Sequence, residues 1–388
     1  MEVKKLIQLT VLLVLFFSLT HCEKNKADLL YDKKYVKEIK AARKDAAFYM
    51  ARNFVPGGTF AIAREGKIIY SEGMGLASED LEVPADRNTK FRIGQVSEML
   101  TNLIYQKMVE EGTLHPDSSV QSYLPDFPEK QFELPIHHLV NHTSGIREPN
   151  SEEKDWRGLN ISIQAGIENF KADSLVFPPG IYQVPNMFNY NLLGAIMETV
   201  SGKNFNNLLK EYVTDTLNLE NTVIDNPLIS IKGRSDFFDH NFIAQKVNAT
   251  TRDMRFRAAS EGMLSNAEDL VKFGNALLYS DYFSETIKQH LFEPIKLYND
   301  IPSNMANGWV LMEDRSRRQI VGRSGTVTGG GAALLVYPEE KLVVACALNL
   351  GSFSDDYPVF AMAQHFLSQP EEETVDENAN DSSDTSEN

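Results

Sequence analysis

Cysteine is almost absent from this chain of 388 residues, which has only Cys22 and Cys346. We expect no internal disulfide, because Cys22 ends an N-terminal apolar segment and Cys346, inside an apolar run, is predicted to be a buried core thiol. The sequence also lacks the His-x-His and His-Glu-x-x-His patterns that bind zinc, since His137, His138 and His142 have a different spacing. We therefore predict neither a metal nor another cofactor.

Positive charge is also scarce. The chain has 38 Lys and Arg against 54 Asp and Glu, which gives a formal net charge of -16. Nucleic acids are bound by clustered Lys and Arg, so the composition argues against a nucleic-acid partner. The segment 369–388 is rich in Ser and Asn and contains neither Lys nor Arg. It is predicted to be an acidic disordered tail, and its acidic residues are Glu371, Glu372, Glu373, Asp376, Glu377, Asp381, Asp384 and Glu387.

The apolar run Leu6–Leu19 is shorter than the about 20 residues that a transmembrane helix needs. Two lysines precede it and Cys22 follows it, with Leu19 three residues before the cysteine. This arrangement is typical of a signal peptide and resembles the bacterial lipoprotein box, in which the cysteine thiol receives a diacylglycerol. We predict a lipoprotein-type signal peptide at 1–22, followed by a linker at 23–32. The alternative is an ordinary cleaved signal peptide with an incidental cysteine.

Hydrophobic periodicity predicts strands near both ends of the chain and helices between them. The predicted strands are a hairpin over Thr59–Glu72, then Val321–Arg323, Gly331–Tyr337 and Leu342–Leu348. The predicted helices are Lys33–Asn53, Met99–Met108, Phe205–Val213, a helix from the capping box Ser265–Glu268 to about Leu278, and Pro358–Leu367. The fold class is α/β (α+β): an antiparallel sheet built from both chain ends, flanked by helices, with a mostly helical insertion at roughly 110–260 in a domain over 33–368.

Several short motifs follow one another in an order that carries a family resemblance. They are Phe91-Arg92-Ile93-Gly94, Glu110-Glu111-Gly112-Thr113-Leu114, Tyr123-Leu124-Pro125-Asp126-Phe127, His142-Thr143-Ser144-Gly145, Phe177-Pro178-Pro179-Gly180, Asn189-Tyr190, Gly262-Met263-Leu264-Ser265 and Gly322 to Gly331. Because these motifs occur in this order, the chain resembles the serine β-lactamase and penicillin-binding-protein superfamily, close to its class C and esterase-like branch. The resemblance runs from about Pro56 to Asn349 and implies the β-lactamase/transpeptidase-like fold.

The resemblance implies that a Ser-x-x-Lys motif should supply the nucleophile and its base at the start of a helix. Gln95 stands at the serine position and Glu98 at the lysine position. A carboxamide is not an acyl-transfer nucleophile. The unperturbed pKa of a glutamate is about 4.3, so its anion would oppose a developing oxyanion.

Of the other two family motifs, one has lost its functional groups and one retains them in part. The Tyr-x-Asn positions are Pro185, Asn186 and Met187, and neither proline nor methionine can relay a proton. The third motif keeps its shape, because Arg323 provides a cation and Ser324 a hydroxyl. The resemblance thus implies a catalytically degenerate member.

What the family site retains is a set of binding groups. The predicted ligand-binding residues are Gln95, Arg323, Ser324, Gly325 and Thr326, with the backbone N–H groups of Gln95 and Thr326 forming the oxyanion hole. We further expect Glu98 and Arg323 to pair, because opposite charges at about 4 Å attract by roughly 4 kcal/mol before desolvation.

The leading hypothesis is an exported, lipid-anchored pseudoenzyme that acts as a binding or scaffolding protein of the bacterial cell envelope, at the outer membrane or facing the periplasm. Its partner would be a carboxylate-bearing peptide or cell-wall fragment. One alternative is a hydrolase of β-lactamase, DD-peptidase or esterase type that uses non-standard residues such as Ser97 or a nearby tyrosine. The other is a purely structural envelope lipoprotein.

Overall fold

The computed structural model describes residues 28–154, 156, 162–351 and 356–367. The predicted signal peptide with Cys22 and the predicted tail at 369–388 lie outside the described residues. Among the described helices, none is both long and apolar enough to cross a membrane.

The longer described strands lie near the two ends of the chain, and most of the described helices lie between them. The strands are β1 (Leu29–Tyr31), β2 (Gly57–Arg64), β3 (Lys67–Ser78), β4 (Val83–Pro84), β5 (Phe91–Arg92), β6 (Val223–Ile224), β7 (Phe238–His240), β8 (Lys246–Asn248), β9 (Met263–Ser265), β10 (Met305–Ala306), β11 (Trp309–Glu313), β12 (Gln319–Val327), β13 (Gly330–Tyr337) and β14 (Leu342–Leu348). The α-helices are α1 (Val36–Arg52), α2 (Ser97–Glu110), α3 (Val120–Tyr123), α4 (His137–Val140), α5 (Ser151–Lys154), α6 (Ile163–Ile167), α7 (Met187–Ser201), α8 (Phe205–Leu209), α9 (Ala267–Tyr279), α10 (Glu285–His290) and α11 (Val359–Gln364).

The main sheet is antiparallel and joins the two ends of the chain. Its strand order is β1-β3-β2-β14-β13-β12-β11-β10, with β4 paired to β3. Strand β2 pairs with β14, where Phe60 lies opposite Cys346. The predicted fold class is confirmed: an antiparallel sheet from both ends carries helices and encloses a mostly helical insertion.

Alternating side chains of β14 enter two different cores. Val344 and Cys346 pack with residues of α1 and α11 on one face of the sheet. Val343 and Ala345 pack with residues of α2 and α9 on the other face. Both faces are covered by helices, so every residue of β14 is buried. Burial raises the pKa of the Cys346 thiol to about 12, in keeping with the core position predicted for it.

Three details differ from the sequence-based expectations. Leu29–Tyr31 lies inside the predicted linker but forms an edge strand, because it pairs with β3 over Tyr70 to Glu72. The predicted helix Phe205–Val213 is α-helical only to Leu209 and then continues as a π-helical turn. The insertion also contains the short hairpin of β7 and β8.

The helix start predicted at Ser265 is wrong by one residue. Asn266 is the N-cap of α9, and its Oδ1 accepts a hydrogen bond from the Asp269 N–H. Ser265 instead belongs to β9, where it pairs with Phe91. Glu268 does not reach back to the cap, because its carboxylate accepts a hydrogen bond from Ser71.

One close approach positions the site. The 3₁₀ turn Gly94–Val96 leads into α2 and lies against β12. A Cβ on Gly325 would come within 2.4 Å of the Gln95 nitrogen, and a Cβ on Gly94 within 2.9 Å of the Thr326 nitrogen. Glycine is thus required at both positions, because any side chain would separate the turn from the strand.

Candidate functional site

The side chain of Gln95 is held at both ends. Its Oε1 accepts a hydrogen bond from the Thr326 backbone N–H at 2.9 Å. Its Nε2 donates to Glu261 Oε2 at 3.0 Å. Glu261 is in turn held by Arg257, whose Nη1 donates to Glu261 Oε1 at 2.6 Å. The carboxamide is therefore part of a fixed chain of hydrogen bonds, and its oxygen faces strand β12.

This arrangement corrects the predicted oxyanion hole. The Thr326 N–H was expected to be open to the oxygen of a ligand, but it donates to the side-chain oxygen of Gln95. The Gln95 carboxamide thus lies where the acyl group of a bound ligand would place its own carbonyl. A ligand that uses this N–H has to displace Gln95 first.

Glu98 lies in the first turn of α2, where the helix dipole favours a carboxylate. Its side chain is 2% exposed and forms an ion pair with the Arg323 guanidinium of β12. The pairing expected from the sequence is present. The same carboxylate oxygen, Oε2, lies 3.1 Å from Nε2 of the fully buried His142. The cation that was predicted to bind a ligand is therefore already matched by an internal anion.

His142 extends this network into the core. Its Nδ1 lies 3.1 Å from Asn189 Nδ2, which can only donate. The hydrogen-bond pattern therefore assigns the Nε2–H tautomer, which donates to Glu98. Asn189 is fixed in turn by Ser144, whose Oγ donates to Asn189 Oδ1 at 2.5 Å. The carboxylate of Glu98 is thus held by two donors, Arg323 and His142, which both contact Oε2.

The positions of the second motif, Pro185 to Met187, lie at the start of helix α7. Asn186 is the N-cap of α7, with Oδ1 accepting from the Phe188 N–H at 3.0 Å. Pro185 and Met187 line the cleft but offer no side-chain group that can carry a proton. Tyr190 does not replace the relay, because its hydroxyl donates to the Val140 carbonyl and burial raises its pKa far above the ordinary value.

The remaining serines of the site differ in access. Ser324 lies on β12 and lines the cleft. Ser97 is fully buried and its Oγ has no hydrogen-bond partner, so it has no base to activate it. The structure therefore leaves Ser324 as the accessible serine among these two.

The cleft beside these residues has a volume of about 420 Å³. Four of its residues carry carboxamides and five are apolar, in addition to the ion pair and the two hydroxyl residues of β12. The carboxamides are Gln95, Gln183, Asn186 and Asn304, and the apolar residues are Pro185, Met187, Met305, Val310 and Met312. A second cavity of about 340 Å³, lined by Arg257 and Glu261, shares Gln95 with the first. No group of three His, Cys, Asp or Glu suited to a metal occurs among the described residues.

The family model described as Beta-lactamase matches residues 42–364. The chain belongs to the beta-lactamase family. Human serine beta-lactamase-like protein LACTB, mitochondrial, is 26% identical over 379 aligned residues, which cover 74% of this chain and 69% of LACTB.

Solved structures agree on the fold. The octameric penicillin-binding protein homologue from Pyrococcus abyssi superposes with a TM-score of 0.73 at 22% identity, covering 84% of this chain and 77% of that one. FmtA from Staphylococcus aureus superposes with a TM-score of 0.72 at 19% identity, covering 89% of this chain and 92% of FmtA.

Sequence reasoning missed two members of the site. Glu261 precedes a recognised family block by one residue, and nothing in its local sequence indicates that it holds Gln95. His142 was identified only as part of the motif His142-Thr143-Ser144-Gly145. Its φ of 55°, which is uncommon for a residue other than glycine, is visible only in the structure.

Proposed function

We propose that this member of the beta-lactamase family is a pseudoenzyme that binds a ligand without forming a covalent bond to it. The observation that supports this most directly is the Gln95 carboxamide. It stands at the nucleophile position, and its oxygen accepts the Thr326 N–H that would stabilise an oxyanion. Because the Gln95 carboxamide occupies this place, the site has neither a nucleophile there nor a free oxyanion hole.

The loss extends to every proton-transfer group of the family mechanism. Glu98 is an acceptor for Arg323 and His142, and Pro185 has no proton to relay. Removal of the nucleophile alone from such a site typically costs on the order of 10⁶ in rate. We infer that hydrolysis is not the function that preserves this cleft.

The lining indicates the chemistry of the ligand. Carboxamides form hydrogen bonds with other amides, and methionines adapt to irregular apolar groups. A peptide or a peptide-bearing cell-wall fragment suits this mixture. A carboxylate on that ligand has to compete with Glu98 for Arg323, so we propose that the amide and acyl groups of the ligand, rather than a carboxylate, provide the main contacts.

The proposed location rests on the N-terminal sequence. The apolar run Leu6–Leu19 followed by Cys22 supports export and lipid attachment. We propose that the protein is anchored in the bacterial cell envelope, where peptide-bearing cell-wall material is available to the cleft.

The test is covalent labelling of the full chain by a fluorophosphonate and by a penicillin, read as intact mass. We expect no mass increase with either probe. The variants Ser97→Ala and Ser324→Ala are measured in parallel, so that any adduct is assigned to a residue. An adduct on wild type that disappears in one of these variants would refute the proposal and favour a hydrolase with a non-standard nucleophile.

A further inference from the structure

Five large apolar side chains are strongly exposed at one end of the molecule. Phe242 is 98% exposed, Leu81 76%, Leu228 60%, and Ile229 and Ile243 57% each. We call this set the apolar tip. Exposed apolar residues scattered singly are normal, but a contiguous group marks a binding surface.

The three loops that carry the apolar tip lie next to one another. The β7–β8 hairpin is joined to the turn after β3 by an ion pair between Lys246 and Glu79. A cavity of about 450 Å³ is lined by Asp80 of that turn, by Ile229 and by Asn248 of the hairpin. The hairpin, the turn after β3 and the loop that contains Ile229 therefore border one cavity.

The hairpin holds its apolar residues outward. Asn241 Oδ1 accepts hydrogen bonds from the Ile243 N–H at 3.0 Å and the Gln245 N–H at 2.9 Å. At the base, the buried Phe238 donates its N–H to the Asn349 carbonyl at 2.9 Å. Because both ends are fixed, the exposure of Phe242 is imposed by the backbone.

The N-terminal segment enters the described fold close to this end. Asp28 forms an ion pair with Arg87 at 2.9 Å. The strand segment after Arg87 lies beside the loop that contains Ile229, since the Lys90 N–H donates to the Gly233 carbonyl at 2.7 Å. Residues 23–27 can separate Cys22 from Asp28 by at most about 20 Å. An anchor at Cys22 would thus keep the apolar tip near a membrane.

We propose that the apolar tip inserts into the surface of a lipid bilayer and fixes the orientation of the protein on the membrane. Phe242 and Ile243 stand on a protruding hairpin turn, a shape that enters the acyl boundary but does not offer the flat area that a second protein copy needs. Insertion depends on apolar burial, because Glu79 and Asp80 offset Lys246 around the tip. The proposal uses the envelope location proposed above and is independent of the cleft.

The first experiment measures how deeply residue 242 enters the lipid bilayer. The full chain is reconstituted with phosphatidylcholine vesicles that contain acyl-brominated lipid, and the fluorescence of Phe242→Trp is compared with wild type. We expect a blue shift and quenching beyond the background of Trp156 and Trp309. The matched control is Phe132→Trp, whose neighbour Gln131 hydrogen-bonds to Leu175 in the helical insertion; it should stay unquenched.

The second experiment measures binding by vesicle flotation, in a full chain that carries Cys22→Ser and therefore lacks the proposed lipid attachment site. Phe242→Ser combined with Ile243→Ser should weaken binding at least tenfold, with little dependence on salt, whereas Phe132→Ser should leave it unchanged. An unquenched Trp at 242 would overturn the proposal. So would a double variant that keeps full vesicle binding or that changes the oligomeric state in light scattering, which would assign the apolar tip to a second copy. Neither result bears on covalent labelling, so the two proposals fail separately.

Discussion

At the scale of single residues, the replacement of lysine by glutamate changes what Arg323 can do. Glu98 and Arg323 are both largely buried and in contact. Buried ion pairs often contribute little net stability, because desolvation offsets the attraction. The pair therefore matters more for what it prevents: it neutralises the cation that would otherwise attract the carboxylate of a ligand.

This gives a prediction about ligand charge. Glu98→Gln removes the anion but keeps a side chain of similar shape that can still accept a hydrogen bond. We expect the variant to bind an N-acetylated peptide acid about tenfold or more tightly than wild type does, which corresponds to about 1.4 kcal/mol. Affinity for the matching peptide amide should change little. Isothermal titration of the two peptides against the two proteins measures this.

Glu285→Gln is the matched control, because the Glu285 side chain is 81% exposed on another helix. It should leave both affinities unchanged. A wild-type protein that already prefers the acid, with no response to Glu98→Gln, would show that Arg323 is not neutralised and would contradict the prediction.

At the scale of helices and strands, the start of α9 can be tested directly. Asn266 Oδ1 accepts the Asp269 N–H at 2.8 Å, and Asn266 Nδ2 donates to the Arg87 carbonyl. Loss of an N-cap costs about 1–2 kcal/mol. We expect Asn266→Ala to lower the free energy of unfolding by that amount, which appears as a lower urea midpoint without a change in slope.

Glu268→Ala separates the observed cap from the capping box read from the sequence. In the structure the Glu268 side chain is 21% exposed and contacts Ser71 and Arg87. Its removal should cost about 1 kcal/mol or less. A larger loss than that of Asn266→Ala would favour the capping box instead.

Strands and helices were predictable where their hydrophobic pattern lies within one segment of the chain. The continuous apolar run of β14 and the helical spacing of α2 were recognised because each is encoded within one segment. The cap of α9 was misplaced because Ser265 is drawn into β9 by its pairing with Phe91, a contact between distant parts of the chain. The edge strand Leu29–Tyr31 was missed for the same reason, since only its pairing with β3 makes it a strand.

At the scale of the whole molecule, the site is made of contacts that no local pattern encodes. Gln95 meets Glu261 and Thr326, and Glu98 meets His142 and Arg323, only after segments that are distant in the chain have packed together. The family resemblance placed Gln95, Glu98 and Arg323 in one cleft. It could not show which acceptor would take the Thr326 N–H, because that depends on the rotamer of a side chain foreign to the family motif.

The pH dependence of stability is a further property of the folded whole. His138 lies beside the ring of His137, with centroids 4.1 Å apart, and its Nδ1 lies 2.8 Å from Thr143 Oγ1. Burial, and secondly the charge of His137, lowers the pKa of His138 to about 4. Below about pH 6.5 the unfolded imidazole binds a proton that the folded one does not bind until about pH 4. The unfolded state then holds more protons, so stability falls as pH decreases through this window.

We expect His138→Gln to remove part of this loss. Each pKa unit corresponds to about 1.4 kcal/mol of stability. Because the imidazole is partly exposed to solvent, we expect its contribution to the loss of stability between pH 6.5 and pH 4 to be about 2 kcal/mol. The measurement is the free energy of unfolding in urea at a series of pH values. His290→Gln, on the partly exposed end of α10, is the control and should follow the wild-type curve. If His138→Gln also follows that curve, the folded imidazole is protonated together with the unfolded one and the prediction is wrong. Asp269 and Asp239 cannot cause the same loss, because burial raises their pKa values and a raised folded pKa makes stability rise as pH falls.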